Sequence, residues 1–342
     1  MFSIENLVRE NIQKLKRYSS ARDEYSGAEG IFLDANENPF GDFNRYPDPY
    51  QKKLKERLSQ LKNIPSNNIF IGNGSDEIID LVFRIFCEPG RDKVLTFPPT
   101  YGMYEVSAGI NNVEVITVPL TADFQIDIVR CFQQINQNQN IKIVFVCSPN
   151  NPTGNSINAI EELLQKCNAI VVVDEAYIDF SERPSLLEKV TTYPNLIVSQ
   201  TFSKAYGLAA ARLGVAYAGE AIIQLMNKVK PPYNVSALNQ NAALKALENK
   251  NIKKDTINTI LQERERVLKA LLKLEQVIKI YPSDANFLLV ELKDATSVYN
   301  KLVTKNIIIR NRDSVIKNCV RITIGTPQEN NQLINELKNL SK

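Results

Sequence analysis

The sequence predicts a three-layer α/β fold: a mostly parallel sheet covered by helices on both faces, with a smaller C-terminal α/β unit. Three observations carry this expectation. Short β-branched runs alternate with helical patterns through the middle of the chain, the sign of parallel strands joined by crossover helices. Those runs are apolar on both faces, Ile143-Val-Phe-Val being typical, as strands held between two helical layers must be. A charge-rich helical stretch over residues 238–276 then separates this region from a second group of strand-like pieces.

The elements follow in order. Residues 1–17 show helical periodicity through Ile4, Leu7, Val8, Ile12 and Leu15. They carry Glu5 and Glu10 and no signal-peptide core, so they read as part of the mature fold. Strands are expected at 68–71, 93–96, 113–118, 142–147, 169–173 and 195–199, with a small-residue helical segment after Lys204. The leucines Leu244, Leu247, Leu268, Leu271, Leu272 and Leu274 mark the long helical stretch, and pieces at 286–292, 307–310 and 320–324 supply a second sheet. The expected division is an N-terminal arm, 1–40, belonging to the small domain, a large domain over 41–235 and a small C-terminal domain over 236–342. There is no internal repeat, and the polar patch 133–140 reads as a helix end and loop.

Composition bounds the chemistry. At 342 residues the chain exceeds the size of one small domain. A net charge of +3 gives no footprint for nucleic acid or membrane surfaces, and no apolar run has the length of a membrane span. Five cysteines with no close pairing fit reduced, buried thiols and a cytoplasmic location. There is no histidine. That excludes Ser-His-Asp and Cys-His catalysis within the chain and every imidazole metal site, and no metal is expected. Acid–base work near neutral pH then falls to a perturbed Lys, Tyr, Cys or carboxylate, or to a cofactor.

Unusual polar residues cluster just after the expected strands, at 72–76, 98–101, 150–154, 174–177 and 201–204. Ligands of parallel α/β sheets bind beyond the carboxyl ends of the strands, so one shared site is the economical reading. Asp174 closes the apolar run Ile170-Val-Val-Val-Asp and needs a partner once buried. The segment Gly72-Asn-Gly-Ser-Asp opens a helical pattern whose free N–H groups suit an anion, and Arg212 can add a charge-assisted contact. Each feature also has a plain reading: a surface lysine, a structural ion pair, an ordinary N-cap. The glycine pattern is neither a dinucleotide fingerprint nor a Walker loop.

In combination the motifs are specific. Ser148-Pro-Asn-Asn-Pro-Thr-Gly, Val173-Asp-Glu-Ala-Tyr and Ser203-Lys-Ala-Tyr-Gly resemble three motifs of the fold-type I aminotransferases that use pyridoxal phosphate (PLP). Within them, six further segments are similar to the histidinol-phosphate aminotransferase family: Leu33-Asp-Ala-Asn-Glu-Asn-Pro-Phe-Gly, Arg45-Tyr-Pro-Asp-Pro, Gly72-Asn-Gly-Ser-Asp-Glu, Pro99-Thr-Tyr-Gly-Met-Tyr, Asp284-Ala-Asn-Phe and Val320-Arg-Ile-Thr-Ile-Gly-Thr. The likeness runs from about residue 18 to 326.

The resemblance implies that Lys204 bonds the cofactor through its amine and then shuttles a proton, while Asp174 pairs with the pyridinium nitrogen. It implies Asn151 and Tyr177 at the ring's phenolate oxygen and Tyr101 on the ring face. Backbone groups of Ser75 and Asp76, with Thr201, Ser203 and Arg212, would hold the cofactor phosphate. Tyr46 would reach that phosphate from a neighbouring subunit, making a homodimer the functional unit. Arg321 and Arg310, or Arg312 in place of Arg310, would hold substrate anions, with Tyr18, Asn36 and Asn151 beside them. The implied reaction is a ping-pong transamination between glutamate and imidazole-acetol phosphate, giving 2-oxoglutarate and histidinol phosphate. Aromatic aminotransferase and threonine-phosphate decarboxylase activities are rivals on the same scaffold. A non-enzymatic PLP-binding regulator is disfavoured because no helix-turn-helix extension precedes the core. Two departures stand out: Leu208-Ala-Ala-Ala leads to Arg212 where the family often has glycine, hindering close approach of the backbone. Asn306 occupies a turn position where glycine is common, although Asn tolerates left-handed backbone.

Overall fold

The computed structural model describes residues 3–18 and 30–340. Seven strands form the large sheet: β1 Ile69–Gly72, β2 Lys93–Thr96, β3 Glu114–Thr117, β4 Ile141–Cys147, β5 Ile170–Asp174, β6 Leu196–Thr201 and β7 Gly214–Ala218. Their spatial order is β1-β7-β6-β5-β4-β2-β3. The five strands from β3 to β6 are parallel, whereas β7 runs antiparallel to both β6 and β1. Alternate residues of each strand enter opposite apolar layers. Val144, Val146, Val171, Val173 and Val198 join one, and Ile143, Phe145, Ile170, Val172 and Ile197 join the other. This two-sided burial is what the continuous apolar runs require.

Four shorter strands make an antiparallel sheet in the order β10-β11-β9-β8: β8 Val277–Ile280, β9 Phe287–Leu292, β10 Arg310–Asn311 and β11 Cys319–Thr323. Its core includes Leu288, Val290, Val320 and Ile322, covered by Val298 and Leu302 of helix Ala295–Thr304 and by Leu333, Ile334 and Leu337 of helix Pro327–Asn339. The last helix starts at a capping box in which Thr326 and Glu329 satisfy each other's backbone N–H groups, a device worth about 1 kcal/mol.

Several expectations need correction. The residues after Lys204 form a 3-10 turn, Ala209–Ala211, and then β7 rather than a helix. β8 was not anticipated, and of the expected 307–310 strand only Arg310 pairs, because the ladder with β11 starts there. Residues 3–17 do not form one helix: a turn at Ile4–Asn6 and a helix at Glu10–Lys14 are separated at Arg9. Its N–H bonds Ile85 O at 3.0 Å and its guanidinium pairs with Glu88. Leu7, Val8 and Ile12 are thereby packed on the large sheet's helical layer, not on the small unit. Likewise Ala243 and Leu247 of helix Ala237–Glu248 join the large core, so the units part along helix Lys250–Leu271 rather than at 236. The segment Asp284-Ala-Asn-Phe docks one unit on the other. Its Asp284 carboxylate accepts from the Ser156 hydroxyl at 2.5 Å and from the Ser156 N–H at 3.1 Å, and its own N–H donates to Gly154 O at 2.7 Å. All five cysteines are free and buried. Asn306 is left-handed at φ 57°, as its side-chain type permits.

Candidate active site

A cavity of about 410 Å³ opens where the carboxyl ends of β4, β5 and β6 meet the start of β7 and the edge of the small sheet. The register sets its floor: Asp174 ends β5 between Cys147 of β4 and Ser199 of β6. Asp174 is 4% exposed, and its Oδ2 accepts from the Tyr104 hydroxyl at 2.9 Å while Oδ1 accepts from Ala176 N–H at 3.1 Å. It makes no ion pair among the described residues. Burial outweighs these two donors and pushes its pKa up to about 6.

Lys204 follows β6 and is reached by solvent through the cavity mouth. Its amine lies 5.5 Å from the centre of the Tyr177 ring. Burial, reinforced by the Arg321 guanidinium, lowers its pKa, while Asp174 opposes the change. Tyr177 is held edge-on by Phe287 at 5.1 Å, and its hydroxyl accepts from Asn151 Nδ2 at 3.5 Å. Burial raises the Tyr177 hydroxyl, so it stays protonated.

The opposite end is basic and rich in N–H groups. Helix Ser75–Phe86 starts without a side-chain cap, so its first amides have no intrahelical partner. Two glycines fit this loop to its neighbours. A Cβ on Gly214 would sit 2.4 Å from Gly74 C and Ser75 N, and one on Gly74, at φ +82°, would sit 2.7 Å from Arg212 Nη2. Arg212 is itself left-handed at φ 48°, and its Nη2 meets Asp76 Oδ2 at 3.2 Å. The three alanines before it therefore do not keep it from the cavity. Tyr101 donates its hydroxyl to Asp76 at 3.2 Å and meets Tyr104 edge-on at 5.6 Å. Thr201 Oγ1 donates to Leu213 O and accepts from Ser203 N–H, both at 3.1 Å, tying the two ends of the intervening loop together.

The small sheet contributes Arg310, Arg312 and Arg321. Arg321 donates to Asn151 Oδ1 and lies over the Phe287 ring at 5.2 Å.

The cavity thus gathers Ser75, Asp76, Tyr101, Asn151, Asp174, Tyr177, Thr201, Ser203, Lys204, Arg212, Arg310 and Arg321. Three expected residues lie elsewhere. Tyr18 is an exposed residue of the N-terminal segment. Asn36 and Tyr46 line a separate cleft with Arg45, Ser236 and Leu238, where Tyr46 stacks on Tyr233 at 4.4 Å. Tyr104 and Cys147 were not expected as site residues, and Arg312 only as an alternative to Arg310. Tyr104 belongs to the quoted Pro99-Thr-Tyr-Gly-Met-Tyr segment, but an aromatic at a helical position reads as core. Arg312 was legible only as the neighbour of Arg310.

The residues fit PLP. A buried carboxylate without a cation suits a protonated ring nitrogen, an amine with lowered pKa faces the same space, and an uncapped helix start with Arg212 suits the phosphate.

The model of the family "Aminotransferase class I and II" matches residues 23–337. Over 98% of this chain and 99% of the relative, the sequence is 50% identical to the histidinol-phosphate aminotransferase of Cytophaga hutchinsonii. It is 53% identical to that of Christiangramia forsetii, over 99% of this chain and 98% of the relative. Among solved structures, the histidinol-phosphate aminotransferase of Sinorhizobium meliloti in complex with pyridoxal-5'-phosphate aligns with a TM-score of 0.80 at 26% identity, covering 90% of this chain and 89% of that one. With the site geometry and this end-to-end likeness in hand, the chain belongs to the class I and II aminotransferases and, within them, to the histidinol-phosphate aminotransferases.

Proposed function

We propose that the chain moves an amino group reversibly between glutamate and imidazole-acetol phosphate, yielding 2-oxoglutarate and histidinol phosphate in histidine biosynthesis, with PLP as its cofactor. The observation that carries this is the pairing, in one cavity, of Lys204 and Asp174 with a guanidinium cluster able to take both a carboxylate and a phosphate ester. When bound, PLP supplies the electron sink for the substrate carbon. The chain's own residues do the rest. Lys204 bonds the cofactor and, once released, carries a proton at Nζ, a task suited to its lowered pKa. Asp174 holds the ring nitrogen charged. Tyr177 and Asn151 donate at the ring oxygen, and Tyr101 covers the ring face. The backbone N–H groups of Ser75 and Asp76, with Thr201, Ser203 and Arg212, hold the cofactor phosphate. Arg321 and Arg310 orient the substrate anion, with Asn151 beside them.

A homodimer is part of the proposal. Ile31, Leu33, Phe40 and Phe43 are between 73% and 92% exposed and lie beside the Tyr46 cleft, an apolar surface that a second copy would cover. Tyr46, and with it Tyr18 and Asn36, would then serve the neighbouring cavity. Free, buried thiols support a cytoplasmic site of action. Among the described residues no helix is long and apolar enough to cross a membrane.

The test is a spectroscopic half-reaction: the PLP-loaded protein is titrated with histidinol phosphate, glutamate, phenylalanine and phosphothreonine, and the cofactor's absorbance is followed. Histidinol phosphate and glutamate should discharge it; preference for phenylalanine, or inertness towards histidinol phosphate, would overturn the substrate assignment. Lys204→Ala should retain PLP but lose turnover by several orders of magnitude.

A further inference from the structure

The small sheet presents more positive charge to the cavity than one carboxylate needs. Arg310 and Arg321 are direct partners across β10 and β11, and Arg312 extends the same strand with its N–H bonded to Cys319 O at 2.9 Å. Side chains two apart on a strand share a face, so all three guanidiniums stand on one side of the sheet. Like charges facing each other across a ladder are destabilising. Among the described residues none of the three has an acidic partner in an ion pair. Arg321 is engaged with Asn151 and Phe287, close to the Lys204 amine. The Nε atoms of Arg312 and Arg321 are both enclosed without a hydrogen-bond partner, but Arg312, half-buried and bordering the cavity, makes no side-chain hydrogen bond at all among the described residues, whereas Arg321 donates to Asn151. An enclosed guanidinium donor left unpaired costs free energy unless a ligand satisfies it.

We propose that Arg312 is a specificity-determining residue that reads the substrate's phosphate ester, while Arg321 serves the carboxylate of the amino donor. The assignment rests on the function proposed above. Its chemical basis is the difference between the two anions. A phosphate ester sits further from the reacting carbon than an α-carboxylate and, with three terminal oxygens and nearly two charges, engages more donors than either carboxylate of glutamate, so it gains most from an additional guanidinium. Arg312, unclaimed by protein partners, provides that donor, and Arg310 at the cavity mouth adds to the field.

The experiment compares PLP-loaded wild type with Arg312→Gln and Arg312→Lys in single half-reactions with histidinol phosphate, histidinol and glutamate. Inhibition of the glutamate half-reaction by inorganic phosphate is measured alongside. Arg312→Gln should lower kcat/KM for histidinol phosphate by about tenfold to a hundredfold, with histidinol and glutamate changed less than about threefold. Phosphate inhibition should weaken in parallel, and Arg312→Lys should recover part of both. Equal losses for glutamate and the phosphate ester, or no change in either phosphate readout, would overturn the proposal. If wild type ignores histidinol phosphate but phosphate inhibition still depends on Arg312, the substrate assignment fails and the anion-reading role stands.

Discussion

Burial raises the Asp174 carboxyl to about 6, against the Tyr104 hydroxyl and the Ala176 amide, both of which favour its ionised form. A carboxyl with a raised pKa holds its proton more tightly folded than unfolded. Its contribution to stability is therefore full below the unfolded value of 3.8 and is lost as pH rises through about 6. In cofactor-free protein, Asp174→Asn should match wild type near pH 4 and exceed it above pH 6, by at most about 2–3 kcal/mol. Removing the hydroxyl in Tyr104→Phe should move the loss to higher stability cost at the same pH, because one donor to the carboxylate is gone. Urea unfolding across this range checks both; parallel pH profiles for wild type and Asp174→Asn would mean that the group is not buried as described. Asp174 was legible in the sequence because a polar residue ending an apolar strand is conspicuous, whereas Lys204, three residues past β6, stood out only through its motif Ser203-Lys-Ala-Tyr-Gly. Tyr104 was not, since its hydroxyl matters only through a partner seventy positions away.

At the scale of elements, the fit of the Gly72–Ser75 turn against the start of β7 is the most constrained feature of the site. Gly214→Ala would place a methyl group 2.4 Å from backbone atoms of Gly74 and Ser75, so one of the two elements must move. The expected result is a loss of about 1–3 kcal/mol in stability and about tenfold or more in PLP affinity. Gly219→Ala is the control, since a Cβ there meets nothing within 4 Å. Equal PLP affinities in the two variants would show that the loop's fit does not matter for the cofactor. β7 itself was hidden from the sequence reading. Two residues separate Gly214-Val-Ala-Tyr-Ala from three alanines, whose high helical propensity masks the change to a strand. β10 is two residues long, shorter than any periodicity can reveal. The parallel strands, by contrast, announced themselves through apolar runs that only double-sided burial explains.

For the whole molecule, the exposed apolar arm and the distance of Tyr46 from its own cavity make subunit exchange the informative measurement. Lys204→Ala and Tyr46→Ala chains, each carrying a different tag, can be combined and the mixed dimer isolated. If Tyr46 serves its neighbour, one cavity of the mixed dimer is intact, restoring about half the native PLP-dependent turnover. A mixed dimer no better than Tyr46→Ala alone would place Tyr46 outside its neighbour's site. The reversed direction of β7 has a further consequence. A parallel strand there would have brought its far end, Ala218, to the cavity. Running backwards, β7 instead returns the chain to the edge it has just left, so residues 202–213 form a single excursion anchored at both ends by Thr201 and Leu213. Lys204 and Arg212, proposed as the attachment point and the phosphate contact, thus share one short peptide. Slow hydrogen exchange gained on cofactor loading should concentrate in that peptide, as the two ends of the ligand restrain the same piece of backbone.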